Sequence, residues 1–260
     1  MAEIYSEPYH LKISELIDLN HNRDIWEFDA FEDGRNLAKI IGEPPEYPLH
    51  FSVQNDFNEW WVVLKGSIRI SIDSDQEIFA KSGDIIRIPS GNHEIQFTTN
   101  LDPCVRLVVT QQGSEQVINT EEIENSSQSR YFSKSTNTTH ISLDDVINEF
   151  ENSPWTSTIL EDERNRANLI CHNPGMSNNP HWHPAFHEWW TILKGSLTWE
   201  VGDNRPVIHA EKGDLIFVPK GFLHKITTVS DETSLRLAIT TPEDLHIYTT
   251  DDNYAPPPKS

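Results

Sequence analysis

The chain has 260 residues, enough for one large domain or two ordinary ones, because independently folding units usually hold about 100 to 200 residues. Hydrophobic residues make up 36% and charged residues 23%, which excludes a collagen-like chain and disorder driven by composition. The 41 acidic residues outnumber the 20 Lys and Arg and give a net charge of −21. Because such a surface repels phosphate backbones and anionic lipids, we expect no nucleic-acid partner and no membrane partner.

The two cysteines, Cys104 and Cys171, are too few and too far apart for a disulfide framework or a zinc finger. The first residues, MAEIYSEP, lack a basic segment followed by an apolar one, and no run of about 18 apolar residues occurs anywhere. We therefore expect a cytoplasmic protein that is neither exported nor inserted into a membrane.

The predicted elements follow the same order twice. An amphipathic stretch with Ile13-Ser14 predicts a short helix, and alternating β-branched segments at 67–72 and 85–88 predict strands. Polar, weakly patterned residues from 113 to 139 predict a connection. A second helix is expected at Ile141-Ser142, followed by strands such as 197–201. Short strands separated by Gly, Pro, Asp and Asn are typical of an all-β sandwich or barrel.

An internal repeat accounts for this order. Residues 58–67, NEWWVVLKGS, are matched by residues 187–196, HEWWTILKGS, and Trp26 is matched by Trp155 at the same offset of 129. Because the offset is close to half the length, we interpret the chain as a tandem duplication. The predicted domains are residues 1–130 and 131–260.

The second copy carries residues with metal-ligand spacing. His181 and His183 alternate on a strand and therefore point the same way, about 7 Å apart. Glu188 follows a short turn, so a returning strand can place it beside them, and His224 can approach from a later Gly/Pro turn. Three imidazoles and one carboxylate suit Fe(II), Mn, Ni, Cu or Zn better than Mg or Ca.

These spacings extend to flanking Gly and Pro residues. The pattern Gly-x5-His-x-His-x4-Glu-x6-Gly spans 175–195, and Gly-x5-Pro-x-Gly-x2-His spans 213–224. Together they resemble the two signature motifs of the cupin superfamily, and the duplicated chain resembles a bicupin. The resemblance implies two tandem β-barrels of the jelly-roll type with a few short flanking helices. It makes four residues of the second barrel the ligands of one metal: His181, His183, Glu188 and His224.

The first copy departs from this pattern. At the offset of 129, Ser52 and Gln54 stand where the second copy has His181 and His183, although Glu59 is kept. A weaker site built from His50, Glu59 and His93 stays open. The favoured interpretation is a structural barrel that has lost its metal.

Other side chains are candidates for the pocket wall. Trp190 and Ile192 share strand parity with Glu188 and are expected to give a substrate an apolar wall. His172 is either a substrate-facing histidine or ordinary packing. Arg106 and Arg236 occur in both copies, which favours a structural salt bridge over binding of a substrate carboxylate.

The cupin resemblance implies a metal with coordination positions open to substrate. The leading hypothesis is a metal-dependent dioxygenase that uses Fe(II) and O₂ on a small aromatic or enolisable molecule. The alternatives are a redox-neutral isomerase, lyase or decarboxylase, and a binding module without turnover. A homodimer is a further expectation from the resemblance, whereas the identity of the substrate stays open.

Overall fold

The computed structural model describes residues 6–111, 131–203, 205–243, 245–251 and 254–257. Most of these residues lie in antiparallel strands, and the described part contains two short helices, α1 (Ile13–Leu19) and α2 (Leu143–Ile147). The prediction of an all-β chain with short helices is therefore confirmed. Ser142 caps α2, since its side chain accepts a hydrogen bond from the Asp145 amide. No helix among the described residues is long and apolar enough to cross a membrane.

The described residues contain 21 strands. In chain order they are β1 (Tyr9–Leu11), β2 (Trp26–Glu32), β3 (Asn36–Glu43), β4 (Pro48–Asn55), β5 (Glu59–Lys65), β6 (Ser67–Ile72), β7 (Ile78–Lys81), β8 (Ile85–Ile88), β9 (Gly91–Thr99), β10 (Cys104–Gln111), β11 (His140–Ile141), β12 (Trp155–Glu161), β13 (Arg166–His172), β14 (His181–Trp182), β15 (Glu188–Lys194), β16 (Ser196–Val201), β17 (Ile208–Glu211), β18 (Leu215–Val218), β19 (His224–Thr228), β20 (Ser234–Thr240) and β21 (Ile247–Tyr248).

The chain divides into two compact units. The N-terminal barrel comprises the described parts of Glu15–Gln116 and Lys134–Glu149. The C-terminal barrel comprises the described parts of Met1–Ser14, Val117–Ser133 and Phe150–Ser260. The predicted connection at 113–139 lies outside the described residues as far as residue 130.

Each barrel is built from two antiparallel sheets with an apolar core between them. The N-terminal barrel has the sheets β11-β8-β5-β10-β3-β2 and β4-β9-β6-β7, and the C-terminal barrel has β1-β18-β15-β20-β13-β12 and β17-β16-β19-β14-β21. Strands of both sheets contribute to each core: Trp61 and Ile70 pack together in the first barrel, and Trp190 and Trp199 in the second. Such a core needs the alternating strand pattern that the sequence shows.

One edge strand in each barrel comes from outside the predicted domain of that barrel. β1 pairs with β18, and β11 pairs with β8. The division at residue 130 stays a prediction, but Tyr9–Leu11 and His140–Ile141 each belong to the compact unit on the other side of it. The two edges are equivalent, since His10 contacts Asp214 at 2.9 Å and His140 contacts Asp84 at 3.2 Å.

Several repeated residues have a turn-forming role. Asp33 accepts the backbone amides of Arg35 and Asn36 at the β2–β3 turn, and Asp162 does the same for the equivalent residues of the β12–β13 turn. Gly66 and Gly195 adopt φ values of +75° and +74° where the chain passes from one sheet of a barrel to the other. A Cβ at Gly66 would lie 2.5 Å from the Pro103 carbonyl oxygen, so this repeat position requires glycine.

Candidate metal centre

Three elements of the C-terminal barrel bring the predicted ligands together. His181 in β14 is paired directly with His224 at the start of β19. His183 directly follows β14, and Glu188 is the first residue of β15. All four side chains are buried, with exposures of 1% to 5%. Groups of this kind avoid burial unless they are paired or hold a metal.

The Glu188 carboxylate lies at the centre of the cluster. Its Oε2 atom is 2.6 Å from Nε2 of His183 and 3.2 Å from Nε2 of His224. The same oxygen is 3.9 Å from Nε2 of His181. Three imidazole nitrogens therefore converge on one carboxylate oxygen.

Backbone carbonyls fix the orientation of all three imidazoles. Nδ1 of His181 lies 2.8 Å from the Asn179 carbonyl oxygen, Nδ1 of His224 lies 3.0 Å from that of Phe222, and Nδ1 of His183 lies 3.1 Å from that of Leu245. A neutral imidazole that donates from Nδ1 carries its lone pair on Nε2. Nε2 of His181 and Nε2 of His224 are buried and have no hydrogen-bond partner among the described residues.

The charge states of these groups match a cation site. Burial lowers the pKa of His183 to about 3, so this imidazole is neutral at pH 7. Burial alone would raise the pKa of Glu188, but the charge of His183, which is protonated only at acid pH, and close contacts with the three imidazoles outweigh burial and hold the pKa well below its usual range. With each Nδ1 donating to a carbonyl, the Nε2 lone pairs face an anionic oxygen, and a cation between them stabilises this arrangement. The donor set fits a divalent transition metal.

A fifth group, His246, reaches the same cluster from the C-terminal strap, which we define as residues 245–251 and 254–257. Ligand atoms of His246, His181, His183 and Glu188 all lie within 4.8 Å of one another. The sequence analysis missed His246, because it follows the last motif residue by 22 positions and no spacing rule connects it to the site.

The strap is held by backbone pairing and by one indole. β21 pairs with β14, which places Tyr248 opposite His181 with their ring centroids 5.3 Å apart. The Thr249 amide donates to the Pro180 carbonyl at 3.0 Å, and Nε1 of Trp182 donates to the Ala255 carbonyl at 3.0 Å. The strap thus supplies a hydrogen-bond acceptor for His183 and two aromatic side chains beside the ligands.

Comparison with protein families places these residues in a known domain. The family model described as "Cupin domain" matches residues 168–241, which include the four predicted ligands. Residues 168–241 thus match a cupin domain. No curated protein matches the chain in sequence.

Solved structures of cupins share the fold of both barrels. A cupin 2 conserved barrel domain protein from Leptotrichia buccalis is similar over 92% of this chain and 100% of its own, with 12% identity and a TM-score of 0.65. Oxalate decarboxylase from Bacillus subtilis is similar over 86% of this chain and 74% of its own, with 15% identity and a TM-score of 0.55. At these identities the likeness concerns the fold.

The predicted pocket residues face the interior of the C-terminal cupin barrel. The Trp190 ring lies 5.4 Å from the His224 ring at a steep angle, and both Trp190 and Ile192 are part of the buried core. His172 is partly buried at the end of β13, where burial and the nearby Arg236 lower its pKa to about 4. Its Nδ1 atom is buried without a hydrogen-bond partner among the described residues.

The strand register of the N-terminal barrel differs from the alignment at a constant offset of 129. Ile72 pairs with Ile95 as Val201 pairs with His224, so Ile95 occupies the position of His224. Phe51 pairs with Ile95 as His181 pairs with His224, so Phe51 and not Ser52 matches His181. By the same register, Val53 and not Gln54 matches His183. An alignment error of one residue exchanges the two faces of a strand. The constant offset of 129 therefore matched His181 and His183 with the outward-facing Ser52 and Gln54.

The weaker first-barrel site is not assembled. Nε2 of His50 lies 3.2 Å from the exposed Glu94, and His93 forms a 2.6 Å hydrogen bond with Asp73, which raises its pKa. Glu59, in contrast, is buried and accepts a 2.7 Å hydrogen bond from Nε1 of Trp61. The three residues thus take different partners, and the ligand positions of this barrel are occupied by Phe51, Val53 and Ile95.

Proposed function

We propose that this protein is a metal-dependent enzyme whose active site lies in the C-terminal barrel. His181, His183, Glu188 and His224 would hold one divalent transition metal, with His246 beside them. The convergence of three Nε2 atoms on one carboxylate oxygen carries this proposal, because each Nδ1 is already committed to a backbone carbonyl. Carbonyl oxygens that orient ligand imidazoles in this way are typical of metal centres.

The surroundings of the site favour small-molecule chemistry. The metal would supply a Lewis-acidic and redox-capable centre with coordination positions left to substrate. Trp190 and Phe186 cover the imidazoles, with the Phe186 ring 4.4 Å from the His183 ring. These aromatic side chains exclude water from the ligands and give an organic substrate an apolar wall.

We further propose that the enzyme is an oxygenase, with Fe(II) as the metal and O₂ as the second substrate of a small aromatic or enolisable molecule. Three imidazoles and one carboxylate leave positions for both reactants on a six-coordinate metal, and imidazole ligands suit iron. A cytoplasmic location and a homodimer accompany this proposal as predictions from the sequence.

A redox-neutral lyase or decarboxylase is the second candidate. It is favoured by the likeness to structures of oxalate decarboxylase, one of which is titled for its Mn(II) centres and aligns with 14% identity and a TM-score of 0.55. In this case the metal would be Mn(II), and a neighbouring histidine would move the proton.

Metal analysis combined with O₂ uptake tests both candidates. The protein is purified, its metal is identified by elemental analysis, and catechols, aminophenols, diketones and keto acids are offered while O₂ is followed. We expect stoichiometric O₂ consumption that is lost in His181→Ala. Metal-dependent turnover without O₂ would replace the oxygenase by the redox-neutral enzyme. A bound metal without turnover of any compound would leave a binding module.

A further inference from the structure

Arg106 and Arg236 occupy equivalent places in the two barrels but have different surroundings. Arg106 in β10 pairs with Val63 and Ile41, and Arg236 in β20 pairs with Ile192 and Ile170 at the same positions of the C-terminal barrel. The two arginines therefore occupy equivalent backbone positions. Any difference in how their guanidinium groups are paired comes from the neighbouring side chains.

The first arginine is fully paired. Nη2 of Arg106 donates to Oε1 of Glu43 at 2.7 Å, and Nε donates to the same oxygen at 3.1 Å. The guanidinium also lies over the Trp61 ring, 4.1 Å from its centroid. The structural salt bridge that the sequence predicted is confirmed for this arginine.

The second arginine has no such partner. Arg236 is 2% exposed, and its Nε and Nη1 atoms have no hydrogen-bond partner among the described residues. His172 occupies the place of Glu43, because His172 pairs with Ser234 as Glu43 pairs with Cys104. For Arg236 the predicted salt bridge is therefore wrong: a histidine has replaced the acid.

The unpaired guanidinium lies on the side of the barrel that holds the metal ligands. Arg236 has the strand parity of Ala238, which belongs to the interior core with Trp190 and Ile192. Burial lowers the pKa of Arg236 to about 10, and the nearby Glu188 charge opposes this effect. The group thus stays positively charged at pH 7 within electrostatic reach of Glu188.

A buried guanidinium whose donors lack direct acceptors is unfavourable unless a ligand compensates it. Nε1 of Trp199 is a further buried donor without a partner among the described residues, and it belongs to the same core. The C-terminal barrel therefore has buried donors that lack an acceptor at the place where Glu43 serves Arg106 in the N-terminal barrel.

We propose that Arg236 binds the carboxylate group of the substrate, so that the enzyme acts on a small organic acid. This inference rests on the proposed function, since it assigns a substrate class to the same site. The carboxylate would take the position relative to Arg236 that Glu43 takes relative to Arg106. His172 stands at the position of Glu43 and carries no negative charge, so the guanidinium is left to bind the carboxylate of a substrate.

Calorimetric titration with acids and their neutral amides tests the inference. Pyruvate is compared with pyruvamide and benzoate with benzamide, on metal-free and metal-loaded protein. We expect the acids to bind about 10- to 100-fold more tightly than the amides, as charge-assisted hydrogen bonds of a buried guanidinium imply. The Nε–H NMR signal of Arg236 is expected to shift with the acids and not with the amides.

Two variants at position 172 provide a matched pair. His172→Glu restores the acid of the N-terminal barrel and is expected to remove the preference for acids, whereas His172→Gln keeps it. Arg236→Met is expected to remove it as well, with the metal content unchanged in all three variants. If Arg236→Met fails to fold, the two variants at position 172 and the NMR signal still test whether Arg236 binds the carboxylate.

The outcomes separate this inference from the proposed function. Equal affinity for acids and amides in wild-type protein, or a preference that survives His172→Glu, would overturn the role of Arg236 and leave the metal enzyme intact. A preference for acids in protein that binds no metal and turns over no compound would retain the carboxylate site and reject the enzyme.

Discussion

At the scale of single residues, the partner of a buried group decides what that group does. Arg106 and Arg236 are the same residue at equivalent strand positions, yet Glu43 pairs directly with the first and no described acid forms a hydrogen bond with Nε or Nη1 of the second. The same holds for the ligand histidines, whose Nδ1 atoms are engaged by carbonyls so that Nε2 faces the cluster. The residue type alone predicts neither the pairing of each arginine nor the orientation of the histidine rings.

We expect substitution of the two arginines by methionine to have different effects on the free energy of unfolding. Arg106→Met leaves Glu43 buried without its cation, so we expect the free energy of unfolding to fall by about 3 to 5 kcal/mol. Arg236→Met removes an uncompensated charge and is expected to leave the stability of ligand-free protein unchanged or to raise it. Urea denaturation of both variants measures the difference, and an equal loss in both would contradict the assignment of their partners.

Acid stability of the metal-free protein gives a second prediction. The pKa of His172 is about 4 in the folded protein and 6.5 ordinarily, so the unfolded chain binds more protons between these values. Stability is therefore full above pH 6.5 and falls as the pH drops towards 4. We expect His172→Gln to make this decline shallower in denaturation midpoints measured after metal removal by a chelator, with the exposed His50→Gln as control. An unchanged slope in His172→Gln would contradict the prediction.

At the scale of elements, strand register separates the two copies. In β4, Phe51 and Val53 turn towards the core while Ser52 and Gln54 are exposed. In the C-terminal barrel, His181 and His183 are buried beside β19 and β21. The C-terminal strap is the element that completes the site, because it brings both the Leu245 carbonyl and His246 to the ligands.

Removal of the strap is expected to weaken metal binding. A chain ending after residue 243 loses the carbonyl that orients His183, and loss of such supporting contacts typically costs about 10- to 100-fold in metal affinity. Competition with a chromogenic chelator measures the affinity. His246→Ala keeps the Leu245 carbonyl and the β21 pairing, so we expect a smaller loss for it. If His246→Ala reproduced the full loss, the orienting role of the carbonyl would be wrong.

At the scale of the whole molecule, one fold serves two different purposes. Both barrels share the order of their equivalent strands, their Asp turns and turn glycines such as Gly66 and Gly195, but Phe51, Val53 and Ile95 stand at the histidine positions of the N-terminal barrel. These side chains pack against an apolar core that includes Trp61 and Phe97. The duplication has thus kept the architecture in both copies and the metal-ligand set in one.

This asymmetry predicts the metal content of the whole chain. We expect one equivalent of divalent metal per chain, since Phe51, Val53 and Ile95 stand at the three histidine positions of the first barrel and offer no lone pairs. Elemental analysis of purified protein gives the ratio, and Glu188→Ala is expected to reduce it to near zero. Two equivalents per chain that survive dialysis would contradict the prediction.

The sequence by itself determined the duplication, the all-β class and the identity of four candidate ligands. These features depend on local spacing: strand alternation, turn-forming Gly and Asp, and the short distance from His181 to Glu188 along the chain. Spacing of this kind is visible in the sequence because the residues concerned act close to one another in it.

Only the tertiary structure decided which residues take their places across strands. The register of β4, the edge strands β1 and β11, the approach of His246 and the missing partner of Arg236 all depend on pairings between segments that are far apart in the chain. A shift of one residue in such a pairing exchanges the inner and outer faces of a strand. The repeat pattern in the sequence does not determine this register. The unpartnered donors of Arg236 could be recognised only once the fold had placed His172 where the other barrel has Glu43.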